Sequence, residues 1–141
     1  TRYMAVYTDA EQLYMYVEAL FALIAEKNPG AADAVLASRL VIRLHCTEPD
    51  AEITLNGRQR PLETTFGPTR LRPTLDIELA PNTLHSIMLG ELGLKKALAD
   101  GLLKVRGPVW KAKALADLFR QAQELYLQVL QEQGWPGHPK E

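Results

Sequence analysis

Residues 89–107, which read LGELGLKKALADGLLKVRG, constrain the fold more than any other stretch of this chain. Glycines divide the segment into two short helical pieces and a short strand, and a long amphipathic helix follows. The segment holds more leucine and valine than one short helix and one short strand ordinarily need. This excess is either ordinary core or the wall of a site for an apolar ligand, and that choice decides the function.

The hydrophobic period divides the rest of the chain into helices and strands. Residues 13–24 repeat apolar side chains at helical spacing. A capping box is predicted just before them, with the Thr8 hydroxyl at the N-cap and the Glu11 carboxylate three residues later. A proline-glycine pair ends this helix, and residues 31–36 predict a second one. Between residues 40 and 79 the period changes to the alternation that is typical of half-buried strands.

Four strands are predicted in this region, at residues 40–46, 52–55, 58–66 and 75–79. The Asn56-Gly57 pair predicts a tight hairpin turn, and Pro61 places the third strand at a sheet edge. After residue 81 the helical period returns in two short helices. A strand then follows at residues 102–106, and Pro108 is predicted to begin the long helix.

This order of elements predicts an α/β fold of the α+β-like kind, with a five-stranded mixed sheet covered on one face by helices. At 141 residues the chain suits one domain, which we place at residues 1–133. Residues 134–141 are predicted to be a loose tail.

Composition narrows the class of protein. The formal net charge of -1 and the hydrophobic content of 47% are typical of a globular protein without general affinity for nucleic acid. The single cysteine, Cys46, excludes an intrachain disulfide. The most apolar segment, residues 13–25, contains Glu18 and is shorter than the roughly 20 residues that span a bilayer. A cytoplasmic protein is therefore expected.

The cations are unevenly distributed. Residues 95–113 carry six of them against Asp100 alone, and residues 58–72 carry four arginines against Glu63 alone. An unevenly charged solvated surface explains this pattern, and an anionic partner is the alternative. The four arginines are Arg58, Arg60, Arg70 and Arg72. They lack interleaved aromatic residues apart from Phe66, so no nucleic-acid partner is expected.

No motif indicates reaction chemistry. His45 and Cys46 are neighbours on a predicted strand, so they point to opposite faces and cannot bind one metal ion together. Asp76 and Glu78 share a strand face, where alternation predicts solvated carboxylates rather than an acid-base pair. We expect no catalytic residues, no metal, no cofactor and no enzymatic activity.

The glycine-punctuated stretch and the order of elements together resemble the sterol carrier protein 2 family of nonspecific lipid-transfer domains. The likeness covers roughly residues 31–130 and depends on the order of the pieces rather than on any one of them. In the glycine-punctuated stretch the matching positions are Gly90, Ala97, Gly101, Lys104, Arg106 and Gly107. The chain departs from the commoner pattern at Leu102 and Leu103, where a lysine often follows the glycine. The resemblance implies a free-standing member of the family, and it implies the fold more firmly than the cargo.

The same resemblance implies a hydrophobic tunnel between the sheet and the helices near the last strand and the C-terminal helix. Its cargo would be a fatty acid, acyl-CoA, isoprenoid or sterol-like lipid. The matching positions are Leu84, Ile87, Met88, Leu98, Leu102, Val109, Trp110, Leu115, Leu118 and Phe119. Ordinary core packing is the competing interpretation of each.

Two kinds of partner follow from these patterns. Lys111 and Lys113 fall in the first turns of the predicted long helix, where an acyl head group or an anionic membrane surface would meet them. Solvated lysines without a partner are the alternative. The apolar face of residues 112–130 suggests an alternative function, in which the chain is a dimerising or accessory protein-interaction module without a small-molecule ligand.

Overall fold

The computed structural model of this chain describes residues 6–134. The predicted tail therefore lies outside the described residues except for Gly134, and the single domain at residues 1–133 stays a prediction. The helices are α1 (Ala10–Lys27), α2 (Asp33–Ala37), α3 (Pro81–Leu89), α4 (Leu94–Ala99) and α5 (Ala116–Glu132). The strands are β1 (Val41–Cys46), β2 (Ala51–Asn56), β3 (Glu63–Phe66), β4 (Leu75–Leu79) and β5 (Lys104–Arg106). Two 3-10 helices, Pro29–Ala32 and Val109–Leu115, precede α2 and α5.

Within the described residues the strands form one five-stranded sheet in the order β3-β2-β1-β4-β5. Strand β1 pairs with β4 in parallel, and the other three pairings are antiparallel. The predicted five-stranded mixed sheet with helices is confirmed. The predicted edge position of the third strand is also confirmed, although Pro61 lies in the connection before β3 rather than within it.

The strand alternation determines which face of the sheet is covered. Ile42 and Leu44 of β1 are buried, whereas Arg43 and His45 between them are half-buried. The same pattern in β4 buries Leu75, Ile77 and Leu79. Helices α1, α3 and α5 pack together and add their apolar faces to this core. The polar side chains of β1 and β4 are left on the opposite face.

The start of α1 differs from the predicted capping box by one residue. Asp9 is the N-cap, and its carboxylate accepts a hydrogen bond from the Gln12 backbone N–H at 2.8 Å. The Gln12 side chain in turn accepts from the Thr8 backbone N–H at 2.8 Å. The Asp9 half of a capping box is therefore present, but the Gln12 side chain bonds the N–H of Thr8, one residue before the N-cap, rather than that of Asp9.

The predicted two-residue hairpin turn at Asn56-Gly57 is wrong. The connection from β2 to β3 runs through residues 57–62. Gly57 lies where the backbone of this connection closely approaches another backbone segment. Its N–H donates to the Leu40 carbonyl at 2.7 Å. A Cβ on Gly57 would lie 2.6 Å from the carbonyl oxygens of both Leu40 and Val35. The glycine therefore holds this connection against the end of α2.

Replacing Gly57 by alanine is expected to lower the free energy of unfolding by about 1–3 kcal/mol, because the new methyl overlaps two backbone oxygens that cannot move independently. Urea denaturation measures the change. Gly30→Ala is the matched control, since a Cβ there meets its nearest neighbour at an ordinary 3.6 Å. Equal midpoints for the two variants would contradict this account of Gly57.

The long C-terminal helix starts later than predicted. Pro108 is followed by the 3-10 helix Val109–Leu115, and α5 begins only at Ala116. Lys111 and Lys113 therefore lie before the α-helix rather than in its first turns. The helix dipole of α5 gives no direct account of these two cations.

Candidate functional site

The site candidate is an apolar groove of about 420 Å³ beside α1. Helix α1 forms one wall, and the 3-10 turn with α2 forms the next. The β2–β3 connection with β3 closes the third side, and the first turn of α5 adds Leu118. The lining residues are Glu18, Phe21, Ala22, Ile24, Ala25, Asn28, Pro29, Ala32, Leu36, Pro61, Leu62, Thr64 and Leu118. Its volume lies within the range of roughly 300–1,000 Å³ that small-molecule sites occupy.

The sequence of α1 explains why this space is open. Glu18, Phe21, Ala22 and Ala25 follow at helical spacing and form one stripe, distinct from the stripe that packs into the core. Small alanine side chains in this stripe leave room that leucine would fill. No cation lines the groove among the residues that the structure describes. The groove can therefore hold an apolar chain but offers no ion pair to a charged head group.

The space between the sheet and α5, where the tunnel was predicted, is almost filled. A gap of about 10 Å³ remains there, at the lower limit of what holds one water molecule. Its lining residues are Leu44, Ile77, Leu79, Ile87, Leu94, Leu103, Leu115 and Phe119. This gap is lined by three of the predicted ligand-binding residues, Ile87, Leu115 and Phe119. They are part of the packed core here and do not enclose a ligand-sized cavity.

The ten predicted ligand-binding residues occupy three kinds of environment. The buried ones are Leu84, Ile87, Met88, Leu115, Leu118 and Phe119. Leu98 is half-buried, and Leu102, Val109 and Trp110 face solvent. The structure therefore does not bring the ten together around one space. Leu118 is the member that lines the apolar groove, and ligand contact stays a prediction for all ten.

A second cavity, of about 350 Å³, lies on the polar face of the sheet and is lined by Arg43, His45, Asp76, Glu78, Lys104 and Arg106. The Arg43 guanidinium donates two hydrogen bonds to the Asp76 carboxylate and lies 3.7 Å from Glu52. The hydrogen bond to Asp76 raises the pKa of Arg43. Asp76 is therefore engaged in an ion pair across β1 and β4, as expected of a solvated sheet face.

The histidines and the cysteine occupy separate environments. His45 lies 3.0 Å from Asp50 on the polar face, and Cys46 is buried on the other face. His85 is buried, and its Nδ1 lies 2.7 Å from the Tyr126 hydroxyl. Residues 6–134 contain no group of three or more His, Cys, Asp or Glu side chains that could hold a metal ion. His138 lies outside the described residues.

The apolar face of the C-terminal helix packs inside the protein. Its buried residues are Leu118, Phe119, Ala122, Tyr126, Val129 and Leu130, whereas Leu127 is exposed. The face considered above as a dimer surface therefore contacts the chain's own core. None of the helices described between residues 6 and 134 is both long and apolar enough to span a bilayer.

The profile of the SCP-2 sterol transfer family matches residues 12–120. The chain belongs to this family. The match includes all of the groove lining from Glu18 to Leu118, and it confirms the resemblance to the sterol carrier protein 2 family. None of the curated proteins matches the sequence.

Solved structures of SCP-2 proteins share this fold. The sterol carrier protein domain 2 of Helicoverpa armigera is 18% identical with a TM-score of 0.63, over 79% of this chain and 88% of that one. The apo form of sterol carrier protein 2 from Yarrowia lipolytica is 15% identical with a TM-score of 0.61, over 85% and 98%. Palmitated SCP2L2 from Aedes aegypti is 17% identical with a TM-score of 0.55, over 77% and 92%.

Sequence reasoning missed the apolar groove in this SCP-2 chain. Its lining comes from five separate segments, and most of these residues are alanine, proline and leucine without a recognisable motif. One local signal was available. The alanines of α1 form a second apolar stripe beside the core stripe, and a helix with two such stripes has a face that its own core does not use.

Proposed function

We propose that this SCP-2 protein binds the apolar chain of a lipid in the groove beside α1 and carries or presents that lipid without catalysis. The observation that carries the proposal is an open, apolar space of about 420 Å³ in a chain of a sterol-transfer family. Burial of some twelve methylenes stabilises a complex by about 10 kcal/mol. After several kcal/mol for lost freedom, roughly micromolar affinity remains.

The residues that line the groove favour recognition of a lipid by its apolar chain rather than by its head group. Thr64, Asn28 and Glu18 are its polar members, and Glu18 would repel a carboxylate placed inside. The charged end of a lipid therefore stays outside, in water. Fatty acids, acyl-CoA and isoprenoids meet this requirement, and the palmitated state of the Aedes aegypti SCP2L2 structure supports an acyl chain as the cargo class. The proposal also includes a sterol-like lipid, which is a wider and more rigid ligand than an acyl chain.

Uptake of a fluorescent fatty acid by delipidated protein tests the proposal. Saturable binding at micromolar concentration is expected for the native chain. The double substitution Ala22→Leu and Ala25→Leu fills the groove and is expected to weaken binding at least tenfold, while leucine keeps the helix propensity of α1 high. Ala99→Leu, at an exposed position in α4, is the matched control and should bind as the native chain does.

Two results would count against this proposal. Absence of saturable uptake by the native chain would overturn lipid binding itself. Full uptake by the filled variant would move the ligand away from the groove and toward the predicted positions between the sheet and α5. Native mass spectrometry of freshly purified protein gives an independent measurement, because a carrier of this kind is expected to retain co-purified lipid.

The remaining predictions about partners are part of the same proposal. Contact of Lys111 and Lys113 with a head group or membrane agrees with a charged end that stays outside the groove. A homodimer stays a prediction that light scattering tests, and a cytoplasmic location stays one that cell fractionation tests.

A further inference from the structure

The fold gathers separate basic segments at one end of the sheet. This end is where β1, β3 and β4 begin and where β2 and β5 finish, as the register places Val41, Asn56 and Glu63 side by side. It carries five exposed arginines from four segments, which are Arg39, Arg58, Arg60, Arg72 and Arg106. We call this the basic end. The opposite end, at the β1–β2 connection, carries Glu48, Asp50 and Glu52 instead.

These arginines are available to a partner. Among residues 6–134, none of the five forms an ion pair with a carboxylate. The nearest acids in register are already engaged, since Glu63 accepts a hydrogen bond from the Asn56 amide and Asp76 is paired with Arg43. Glu63 keeps its negative charge, so the five arginines leave this end with an excess of positive charge.

An exposed apolar anchor lies at the same end. Trp110 is 69% exposed and Val109 is 48% exposed, directly after the corner at Gly107. A Cβ on Gly107 would lie 2.4 Å from the Thr74 carbonyl oxygen, so this corner touches the residue that precedes β4. Lys111 and Lys113 continue the segment. Leu102, which is also exposed, lies beyond the other end of β5 and does not belong to this surface.

Part of the lining of the apolar groove lies at this end as well. Arg60 directly precedes Pro61, which lines the groove together with Leu62. The 3-10 helix that presents Trp110 packs against α2, and Leu36 of α2 lines the groove. The anchor, the unpaired cations and the groove are thus three neighbouring features of one surface.

We propose that the basic end is a docking surface for an anionic lipid bilayer, in which Trp110 and Val109 enter the interface and the arginines meet anionic head groups. The inference rests on the proposed function, because a lipid carrier must exchange its cargo with a membrane. Trp is suited to the membrane-water boundary, and exposed basic residues beside it are attracted to anionic lipids. A protein that binds single-stranded nucleic acid uses several aromatic side chains, on which successive bases stack. This surface has one exposed aromatic side chain beside an aliphatic one and an apolar groove, which suits a lipid bilayer better.

Vesicle binding followed by tryptophan emission tests this surface. The other tryptophan, Trp135, lies outside the described residues and is replaced by phenylalanine, so that the emission reports Trp110. Vesicles of equal parts phosphatidylcholine and phosphatidylglycerol are expected to shift this emission to shorter wavelength and to sediment the protein. Pure phosphatidylcholine should do neither. Binding is expected to weaken as salt rises from about 0.05 M to about 0.5 M.

Charge reversal identifies the surface that binds. Each basic residue near an anionic membrane strengthens binding about fivefold, so Arg58→Glu with Arg60→Glu is expected to weaken it at least about 20-fold. Lys95→Glu with Lys96→Glu is the matched control, because it changes the net charge equally on α4, whose Leu94 packs against Leu79 and Leu103 near the opposite end of the sheet. Circular dichroism confirms that both variants fold.

Four outcomes would overturn the inference. They are absence of binding to anionic vesicles, equal binding to neutral vesicles, equal losses in the two charge-reversed variants, and tighter binding to a single-stranded oligonucleotide than to anionic vesicles. Failure of the proposed function is distinguishable from all four, because uptake of free fatty acid is measured with native protein and no vesicles. A chain that takes up fatty acid but ignores anionic vesicles would keep its function and lose this surface.

Discussion

Replacing Tyr126 by phenylalanine is expected to lower the free energy of unfolding by about 2–4 kcal/mol, although the substitution removes a single oxygen atom. The Tyr126 hydroxyl lies 2.5 Å from the Tyr7 hydroxyl and 2.7 Å from Nδ1 of His85. All three side chains are buried to within 1% of full burial. Loss of the shared oxygen removes two hydrogen bonds in a place where water does not replace them.

This cluster joins three parts of the fold. Tyr7 belongs to the segment before α1, His85 to α3 and Tyr126 to α5. The rings of Tyr7 and His85 also meet edge to face with centroids 5.9 Å apart. Because α3 and α5 both pack on the core beside the sheet, the expected loss affects global stability rather than one local element.

Tyr16→Phe is the control for this prediction. Tyr16 is buried beside the cluster, with its ring centroid 6.0 Å from that of Tyr7, but its hydroxyl makes no hydrogen bond within the described residues. Its replacement is expected to change stability by no more than about 0.5 kcal/mol. Urea denaturation of the two variants measures the difference. Equal stability of Tyr126→Phe and the native chain would show that the cluster contributes no net free energy.

The sequence predicts those parts of the fold that depend on local periodicity. Strand β4 is an example, because its alternation of apolar and acidic residues appears unchanged as the alternation of buried and half-buried positions. The end of α3 is another. Gly90 adopts a left-handed conformation with φ of 83°, which glycine accepts without strain, and it closes the helix where the sequence predicts.

Features that depend on contacts between residues far apart in the chain could not be predicted from the local sequence pattern. His85 has no useful neighbour at helical spacing, yet it meets a tyrosine 41 positions away, and that tyrosine meets another 119 positions away. The Gly57 approach to α2 has the same character, because an Asn-Gly pair carries a strong local preference for a hairpin turn. Tertiary packing against Val35 and Leu40 overrides that preference here.

Cavity positions were the least predictable part of the site. The sequence predicts that the leucine-rich segment before β5 forms a tunnel wall. In the structure, Leu94 and Leu103 of this segment help to fill the space between the sheet and α5, and the remaining gap has a volume of about 10 Å³. Close packing is decided by side-chain volumes to within a methylene group, which a pattern of apolar and polar letters does not record. The groove beside α1 remains open for the same reason, since alanines stand where larger residues would fill it.

Alkaline pH is expected to destabilise the protein, and Cys46 accounts for the first part of the loss. Burial, with a smaller contribution from Asp50, raises the pKa of its thiol from 9.0 to about 12. Between these values the unfolded chain releases the thiol proton while the folded chain keeps it. Stability is therefore fully present below pH 9 and falls by about 1.4 kcal/mol per pH unit between about 9 and 12. Burial also raises the pKa values of Tyr7 and Tyr126, which adds losses above pH 10.

Urea denaturation at about pH 8 and about pH 10.5 measures this loss, of which Cys46 is expected to contribute about 2 kcal/mol. Cys46→Ala separates the thiol from the tyrosines, because it removes the group that titrates first and leaves the buried hydroxyls in place. The variant is less stable than the native chain at pH 8, since it opens space in the core, but it should lose less on going to pH 10.5. Parallel losses in the two proteins would mean that the thiol ionises as readily in the folded chain as in the unfolded one, which its position on the covered face of β1 argues against.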